Sequence, residues 1–548
     1  MCGFSIYEIG GTSIDSLLER SQQTVGFRGR DGTSYCINNN TIFIHHRLTI
    51  IDENNGAQPL SNDTGILVYN GEIYNFNELS TTYLGEESSG DSTFLQKLCD
   101  NGRWELLSKI DGYFAFVYKR HVDDTYICGR DLFGEKPLYK SKEQLNFSSS
   151  IRGVSKLNSW NWRLCIESLF AEEREDWERI LYKGYEVIPP NTLSVYTADG
   201  TLQNRQQIYK KPTDPIKYED FLGELSEATN RRLVSDFPVS QSLSAGKDSG
   251  LINQILIKSQ TQIERYTLRN RIEKYDESKT VEKLCKTGNV VLNIIDEDSL
   301  SKEDTISIIL AQEVPAWDMS FIGFFSYYRS IAASHKVILE GHGPDELLGG
   351  YQDYSIVATI HELLSGSFSA AALRFKVANL VTGRNPLRNL FSVSLFLIRG
   401  LVFRKKHYIN MNAYFKRQHV RLSSVLGVFD RATMLAGIES RSPYLSYRLV
   451  KYYENFQESG WRNYLEPKAL VSHCIRKING SIEIQARKVG FTFSDKNNIE
   501  EIFRQIDINK NIETDRVYLL SRFFPKKYRI RLYSYAIFYS LLKQNETV

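Results

Sequence analysis

The hydrophobic patterning of this 548-residue chain changes character near residue 210. Upstream, short runs alternate apolar and polar residues between turn signals, as in YFAFVY (113–118) and TLSVYTADGTL (192–202). Alternation with a period of two describes strands with one buried face. Downstream, helical patterns alternate with short apolar strands, the mark of an α/β unit built on a parallel sheet. Between the two, YKKPTDPIK (209–217) holds two prolines and several charges and reads as a linker. Length agrees with more than one domain, and the expected division is 1–209 and 210–548.

Composition excludes little. Hydrophobic residues make up 42% and charged residues 24%, ordinary values for a globular protein. A net charge of +3 gives no overall pull towards nucleic acid or membrane. The seven cysteines show neither CxxC pairs nor histidine partners at metal spacing, so a zinc site and a disulfide framework are not indicated. The odd count suits a reducing compartment, and a cytoplasmic protein without a leader peptide is expected. The longest apolar run, 390–403, is broken by Ser392, Ser394, Arg399 and Gly400, so no membrane span is expected. It reads as a core helix in preference to an interfacial one. One region departs from neutrality: residues 365–429 carry eleven Lys and Arg and no Asp or Glu. Such a patch attracts an anionic substrate, a membrane surface or nucleic acid, or else its cations pair with acids elsewhere in the fold.

Cys2 stands directly before Gly3 and an apolar run. Loss of Met1 would put a thiol and an α-amine on one carbon. That amine has an ordinary pKa of about 7.7–8.0 and could take the thiol proton, so the residue would carry its own general base. The same segment holds HHRLTIID (45–52), GAQPL (56–60), YNGEIYN (69–75), SGDST (89–93) and RDLFGEKPLY (130–139). Taken singly, these have plainer explanations. Arg47 could be a surface cation, Asp91 a helix cap and Asn70-Gly71 a hairpin turn.

Together and in this order, the segments resemble the glutamine amidotransferase domain, of N-terminal-nucleophile type, found in asparagine synthetases. The resemblance implies that Cys2 attacks the glutamine side-chain amide. Asn70 and the backbone N–H of Gly71 would hold the oxyanion, a donor of this kind being worth about 10²–10³ in rate. Arg47 would pair with the α-carboxylate, Glu72 and Asp91 would sit near the α-ammonium, and Leu48, Thr49, Ile50 and Ile51 would line the glutamine pocket.

In the second half, PVSQSLSAGKDSGLI (238–252) reads as a strand, a loop of small residues and an apolar helix, a form that lets backbone N–H groups approach phosphate. It lacks the GxxxxGK[ST] of a Walker A loop. It resembles the SGGxDS pyrophosphate loop of adenylating ATP pyrophosphatases, with Ala245 in place of the first glycine. KVILEGHGPDELLGGY (336–351) resembles the asparagine synthetase stretch that ends DELFGGY. YDES (275–278), DRATM (430–434), ESRSPYL (439–445) and ARKVGF (486–491) continue the match. The resemblance implies that Asp248 and Asp345 share Mg²⁺ and that Lys488 neutralises the adenylate and departing pyrophosphate. Leu243, Ser244, Gly246, Ser249, Leu268, Glu340 and Gly341 would bind ATP. The family carries a glutamate and a serine where this chain has His342 and Glu340, so His342 marks an altered acceptor pocket.

The expected fold is therefore a two-domain α/β protein, an N-terminal-nucleophile αββα sandwich followed by an adenine-nucleotide α-hydrolase-like parallel-sheet domain. The expected activity is amide formation. Ammonia from glutamine would cross an internal channel to an acyl-adenylate made from ATP and a carboxylate, aspartate if the family's commonest member is the guide. Other readings stay open: a different acid such as a sugar acid, a β-lactam synthetase-like ring closure, or a non-catalytic relative. The expected partners are small molecules, with no nucleic acid. The oligomeric state is open, a homodimer included.

Overall fold

The computed structural model describes residues 2–53, 56–154, 183–210, 216–288, 290–298, 300–313, 320–382 and 386–479. Lys488 and the ARKVGF segment lie outside them.

In chain order the first strands are β1 (Gly3–Glu8), β2 (Gly32–Asn38), β3 (Thr41–Arg47), β4 (Leu60–Ser61), β5 (Gly65–Ile73), β6 (Gly112–Arg120), β7 (Thr125–Arg130), β8 (Tyr139–Ser141), β9 (Phe147–Ser148), β10 (Tyr185–Val187), β11 (Thr192–Tyr196) and β12 (Leu202–Gln207). They form two six-stranded antiparallel sheets, ordered β10-β8-β9-β1-β3-β2 and β12-β11-β7-β6-β5-β4. The sheets face each other across Phe4, Ile6 and Phe43 on one side and Val68, Val117 and Cys128 on the other. Outside the first sheet, Leu17 of the helix Ile14–Val25 covers Tyr7, Ile42 and Ile44. Outside the second, Phe94, Leu95 and Leu98 of the helix Asp91–Asp100 cover Tyr69, Phe114 and Phe116. The strands expected to bury one face bury both at the centre of the sheets, as in β6, where residues 113–119 are all buried, while the outer strands β2 and β12 keep exposed residues.

Five further strands, β13 (Val239–Ser242), β14 (Glu264–Arg269), β15 (Leu292–Asp296), β16 (Val337–Leu339) and β17 (Glu439–Arg441), form one parallel sheet ordered β15-β14-β13-β16-β17. One face packs on Ile308, Phe321, Phe325 and Tyr328, the other on Leu251, Ile255, Tyr354 and Tyr444. From β13 the chain winds outward through β14 and β15, then returns to add β16 and β17 on the opposite side. The strand order thus reverses between β13 and β16, and the carboxyl ends of such a pair are where open α/β sheets hold ligands.

The two halves meet through buried ion pairs. Asp430, on the long helix Met411–Ala436, lies 2.7 Å from Arg28 and 2.7 Å from Lys136. Arg431 pairs with Glu313 at 3.3 Å and donates to the Tyr139 hydroxyl at 2.9 Å.

The apolar run 390–403 is not a core helix. It falls mostly in the helix Pro386–Leu401, where Asn389, Val393 and Gly400 are buried while Leu390, Phe391 and Ile398 stand exposed. Apolar residues occupy both sides of this helix, and among the described residues one side packs on a neighbour while the other stands exposed.

Candidate active sites

Cys2 precedes β1 at the edge of the sandwich. Gly3 is needed behind it, because a Cβ there would stand 2.5 Å from Val25 and 2.9 Å from Arg28. The thiol Sγ lies 3.9 Å from the Leu48 carbonyl oxygen. Burial raises its pKa, Arg47 pulls it down and Asp91 pushes it up, so both charged groups reach the thiol electrostatically. Arg47 is held by the loop that follows it, donating to the carbonyls of Asp52 at 2.6 Å, Glu53 at 3.0 Å and Ile51 at 3.4 Å. Leu48, Thr49 and Ile50 are buried in that loop, and Thr49 N–H donates to Asp31 at 2.8 Å.

Asn70-Gly71 is not a hairpin turn. Both residues lie inside β5, opposite Ala115 and Phe114 of β6. A Cβ at Gly71 would stand 2.2 Å from the Tyr113 carbonyl oxygen, so glycine permits the close strand approach. N–H direction alternates along a strand. Tyr69 N donates to Gln58 Oε1 at 2.7 Å and Ile73 N to Asp91 Oδ2 at 3.2 Å, both away from β6. Gly71 N–H, midway between them in the alternation, points to the same open edge. The Asn70 side chain is fully buried, and neither its nitrogen nor its oxygen has a protein hydrogen-bond partner. A buried amide of this kind is costly unless a ligand completes it.

Asp91 opens its helix and accepts from Tyr69 Oη at 2.8 Å and from its neighbour Ser92 N at 2.7 Å. Burial lifts its pKa to about 6 despite these donors. Glu72 is also buried, and desolvation followed by the nearby Asp91 charge pushes its carboxyl well above the usual range. Glu72 reaches Arg441 at 3.6 Å, and Arg441 in turn binds Glu439 at 2.6 Å. Side chains of the parallel sheet therefore touch the wall of the cysteine site.

The second site forms at the carboxyl ends of β13 and β16. Ser244 N and Oγ lie 3.1 and 2.9 Å from Ser249 Oγ, and Gly246 N donates to Ser244 Oγ at 3.2 Å. Ala245 has no left-handed φ, which explains why alanine is tolerated there. Its N–H donates to Glu277 at 3.1 Å, which brings the YDES segment to the loop. Gly341 abuts the start of the helix Lys247–Lys258, since a Cβ would stand 2.9 Å from Ser249 N and 3.0 Å from Asp248 Cβ. Leu243 is buried in the cluster with Ala245 and Val281, whereas Leu268 packs against a different cluster.

Asp248 and Asp345 are brought together, and the Lys468 ammonium lies 2.5 Å from each. Close packing enforces the arrangement, because a Cβ at Gly350 would stand 2.0 Å from Asp345 Oδ1 and 2.2 Å from Lys468 Cε. The two carboxylates thus converge on one cation.

Glu340, expected to bind ATP, has a buried carboxylate with three protein partners. It accepts from Tyr328 Oη at 2.7 Å and Ser440 Oγ at 2.5 Å and lies 3.0 Å from His342 Nε2. The His342 ring lies 4.3 Å from the Phe429 ring. The sequence reading missed Lys468, Gln58, Tyr328 and Ser440. Of these, only Gln58 and Ser440 fall inside quoted motifs.

Comparison with known proteins gives the class first. A family model described as "Glutamine amidotransferase domain" matches residues 1–209, and one described as "Asparagine synthase" matches residues 220–512. The second match alone covers more than half of the chain, and the protein belongs to the asparagine synthase family. It is 25% identical over 389 residues to "Asparagine synthetase [glutamine-hydrolyzing] 1" of Bacillus subtilis (strain 168), covering 65% of this chain and 59% of that protein, less than two thirds of its length. It is 23% identical over 493 residues to "Asparagine synthetase [glutamine-hydrolyzing] 3" of the same organism, covering 80% and 78%. It is 27% identical over 406 residues to "Putative asparagine synthetase [glutamine-hydrolyzing] 2" of Methanocaldococcus jannaschii, covering 65% and 76%.

Proposed function

We propose that the chain is a glutamine-dependent amidotransferase with two sites, an N-terminal-nucleophile sandwich over 1–209 and an adenylating domain over 210–548. The buried, partnerless amide of Asn70, on the strand whose Tyr69 and Ile73 donate to Asp91, carries this reading. Such a group is costly to bury alone, and the oxygen of a bound substrate would complete it.

The Cys2 thiolate adds to the glutamine side-chain carbonyl. Asn70 Nδ2 and Gly71 N–H stabilise the negative oxygen, Arg47 holds the α-carboxylate, and Glu72 and Asp91 hold the α-ammonium. Collapse releases ammonia and leaves a thioester, which water cleaves to glutamate and free thiol. In the second site a carboxylate displaces pyrophosphate from ATP, giving an acyl-adenylate. Ammonia then attacks the acyl carbon, AMP leaves and an amide forms. Ser244, Gly246 and Ser249 cradle phosphate, and Lys468 offsets its charge. Lys488, beyond the described residues, would share that task. Asp248 and Asp345 would hold Mg²⁺, which neutralises phosphate charge.

The acceptor in this reading is aspartate, following the names of the relatives. A second reading, a different acid, is favoured by the Glu340–His342 contact, which changes the charge pattern of the pocket. The test supplies glutamine, ATP and single acids from a panel, and measures pyrophosphate and amide product. Pyrophosphate that appears only with an acid, and asparagine with aspartate, supports the proposal. No acid-dependent pyrophosphate across the panel sinks it.

A further inference from the structure

The helix Pro386–Leu401 and the segment after it form a surface that neither site uses. Ten of the nineteen large apolar side chains exposed among the described residues fall within 364–403. On this helix and just beyond it, Leu387, Leu390, Phe391, Ile398, Leu401 and Val402 recur at steps of three, four and seven residues, which places them on one stripe. Leu387 is 72% exposed and Phe391 69%. The opposite side is fixed to the protein, with Val393 packed against Ile356 and Ile360 of the helix Gln352–Leu364. Gly400 also lies so close to Ile409 that a Cβ would stand 2.2 Å away. The helix is thus anchored along one side and apolar along the other.

Charge accompanies the stripe. Arg388 on the helix and Arg404, Lys405 and Lys406 just after it are exposed, and residues 365–429 contain no acid. An apolar helical stripe flanked by cations is the composition of a helix that lies in the plane of a bilayer surface, its side chains among acyl chains and its cations at the headgroups. No helix among the described residues is long and apolar enough to cross a membrane, so this contact would be peripheral. A second copy of the chain is a poor occupant, because a two-fold pairing would set these cations against one another. Nucleic acid has no use for a stripe of leucine and phenylalanine.

We propose that this face docks the protein on an anionic phospholipid bilayer. The full-length chain is mixed with vesicles of equal parts phosphatidylcholine and phosphatidylglycerol, or of phosphatidylcholine alone, and floated on a density gradient. Binding is expected on the anionic vesicles only and should weaken as salt rises. Each near-surface cation is worth on the order of fivefold in partitioning. The R404A/K405A/K406A variant should therefore bind roughly a hundredfold more weakly. Leu387→Ser with Phe391→Ser should also lose most binding, although it leaves the charge intact. Both variants should keep the wild-type rate of ammonia release from glutamine, which shows that they fold. Equal binding to both vesicle types, no binding to either, or variants that float like the wild type would overturn the proposal. So would a wild-type dimer in light scattering that the Leu387→Ser, Phe391→Ser variant converts to monomer.

Discussion

His342 Nε2 lies 3.0 Å from the carboxylate of Glu340, on the loop leaving β16. Burial alone would raise the Glu340 pKa, but the His342 charge and the donors His342, Ser440 and Tyr328 bring it below the ordinary value. An anionic Glu340 leaves no room for a second carboxylate in contact with it. His342→Glu is therefore expected to lower acid-dependent AMP release at least about tenfold, a modest share of the several kcal/mol a close like-charge pair can cost. Glu340→Ser combined with His342→Glu removes that repulsion and rebuilds the residue pair that the resemblance assigns to the family. Asparagine formation that rises in the single variant would show the pocket to be made for aspartate with no part played by the contact.

Glutamine binding should depend on pH through Asp91. Burial raises its carboxyl to about 6, so the charge that would meet the substrate ammonium is lost below that pH. KM for glutamine should rise as pH falls through about 6, with kcat changing less. Asp91→Asn should raise KM about 10- to 100-fold, the scale of one charged hydrogen bond, and flatten this limb of the profile. The stability effect has the opposite sense: a raised carboxyl pKa favours the folded state at low pH, and that contribution is lost as pH rises through about 6. A KM that is flat from pH 5 to 8 in the wild type would remove Asp91 from the binding site.

The grouping of the candidate residues was legible because contiguous motifs carry them. The structure brings Arg47 and Asp91 within electrostatic reach of Cys2, and Asp345 to the Asp248 that follows the 243–247 loop, while their roles came from the family resemblance and not from the residue types. What could not be read depends on the fold. Asn-Gly is a strong turn signal, and only the pairing with β6 shows that Gly71 is a mid-strand glycine with its N–H on the open edge. Lys468 comes to Asp248 from 220 residues away along the chain. The apolar run after residue 390 has the composition of a core helix, and composition does not say that Leu390, Phe391 and Ile398 stand exposed. The alternation upstream and the α/β pattern downstream were read correctly, since periodicity is a local property.

Asp430 should hold the halves together. It is buried between Arg28 and Lys136, and although burial opposes its charge, the two cations bring its pKa down to about 2. Asp430→Ala leaves two buried cations without their anion, a change expected to cost about 3–5 kcal/mol. A depressed carboxyl pKa contributes stability above the unfolded value, lost as pH falls through about 2. Urea unfolding of wild type and variant near neutral pH reads the difference. A change within experimental error would mean that the pairs add nothing.

Cys2→Ala should abolish ammonia release from glutamine and leave acid-dependent pyrophosphate release intact when ammonium salts are added. In the proposed reaction ammonia is all that passes from the first site to the second, so the second site would need no group on Cys2. A folded variant that cannot use ammonium would contradict the two-site reading.

Lys468 and Asp345 test the second site in opposite ways. Asp345→Asn removes one of the two carboxylates that converge on a single cation, and a neutral amide is a poor ligand for a hard metal ion. Pyrophosphate release should fall by at least about a hundredfold, within the several kcal/mol that metal charge stabilisation supplies, and excess Mg²⁺ should not restore it. Lys468→Met keeps both carboxylates and removes the ammonium 2.5 Å from each. The bared pair should bind Mg²⁺ more tightly, so the half-saturating concentration should drop. Pyrophosphate release should still fall about tenfold or more, because a charge that offsets the departing phosphates is gone. Glutamine hydrolysis should survive in both variants. Normal pyrophosphate release by Asp345→Asn would end the metal assignment, and a Lys468→Met variant that needs more Mg²⁺ than the wild type would show that the lysine does not compete for the metal position.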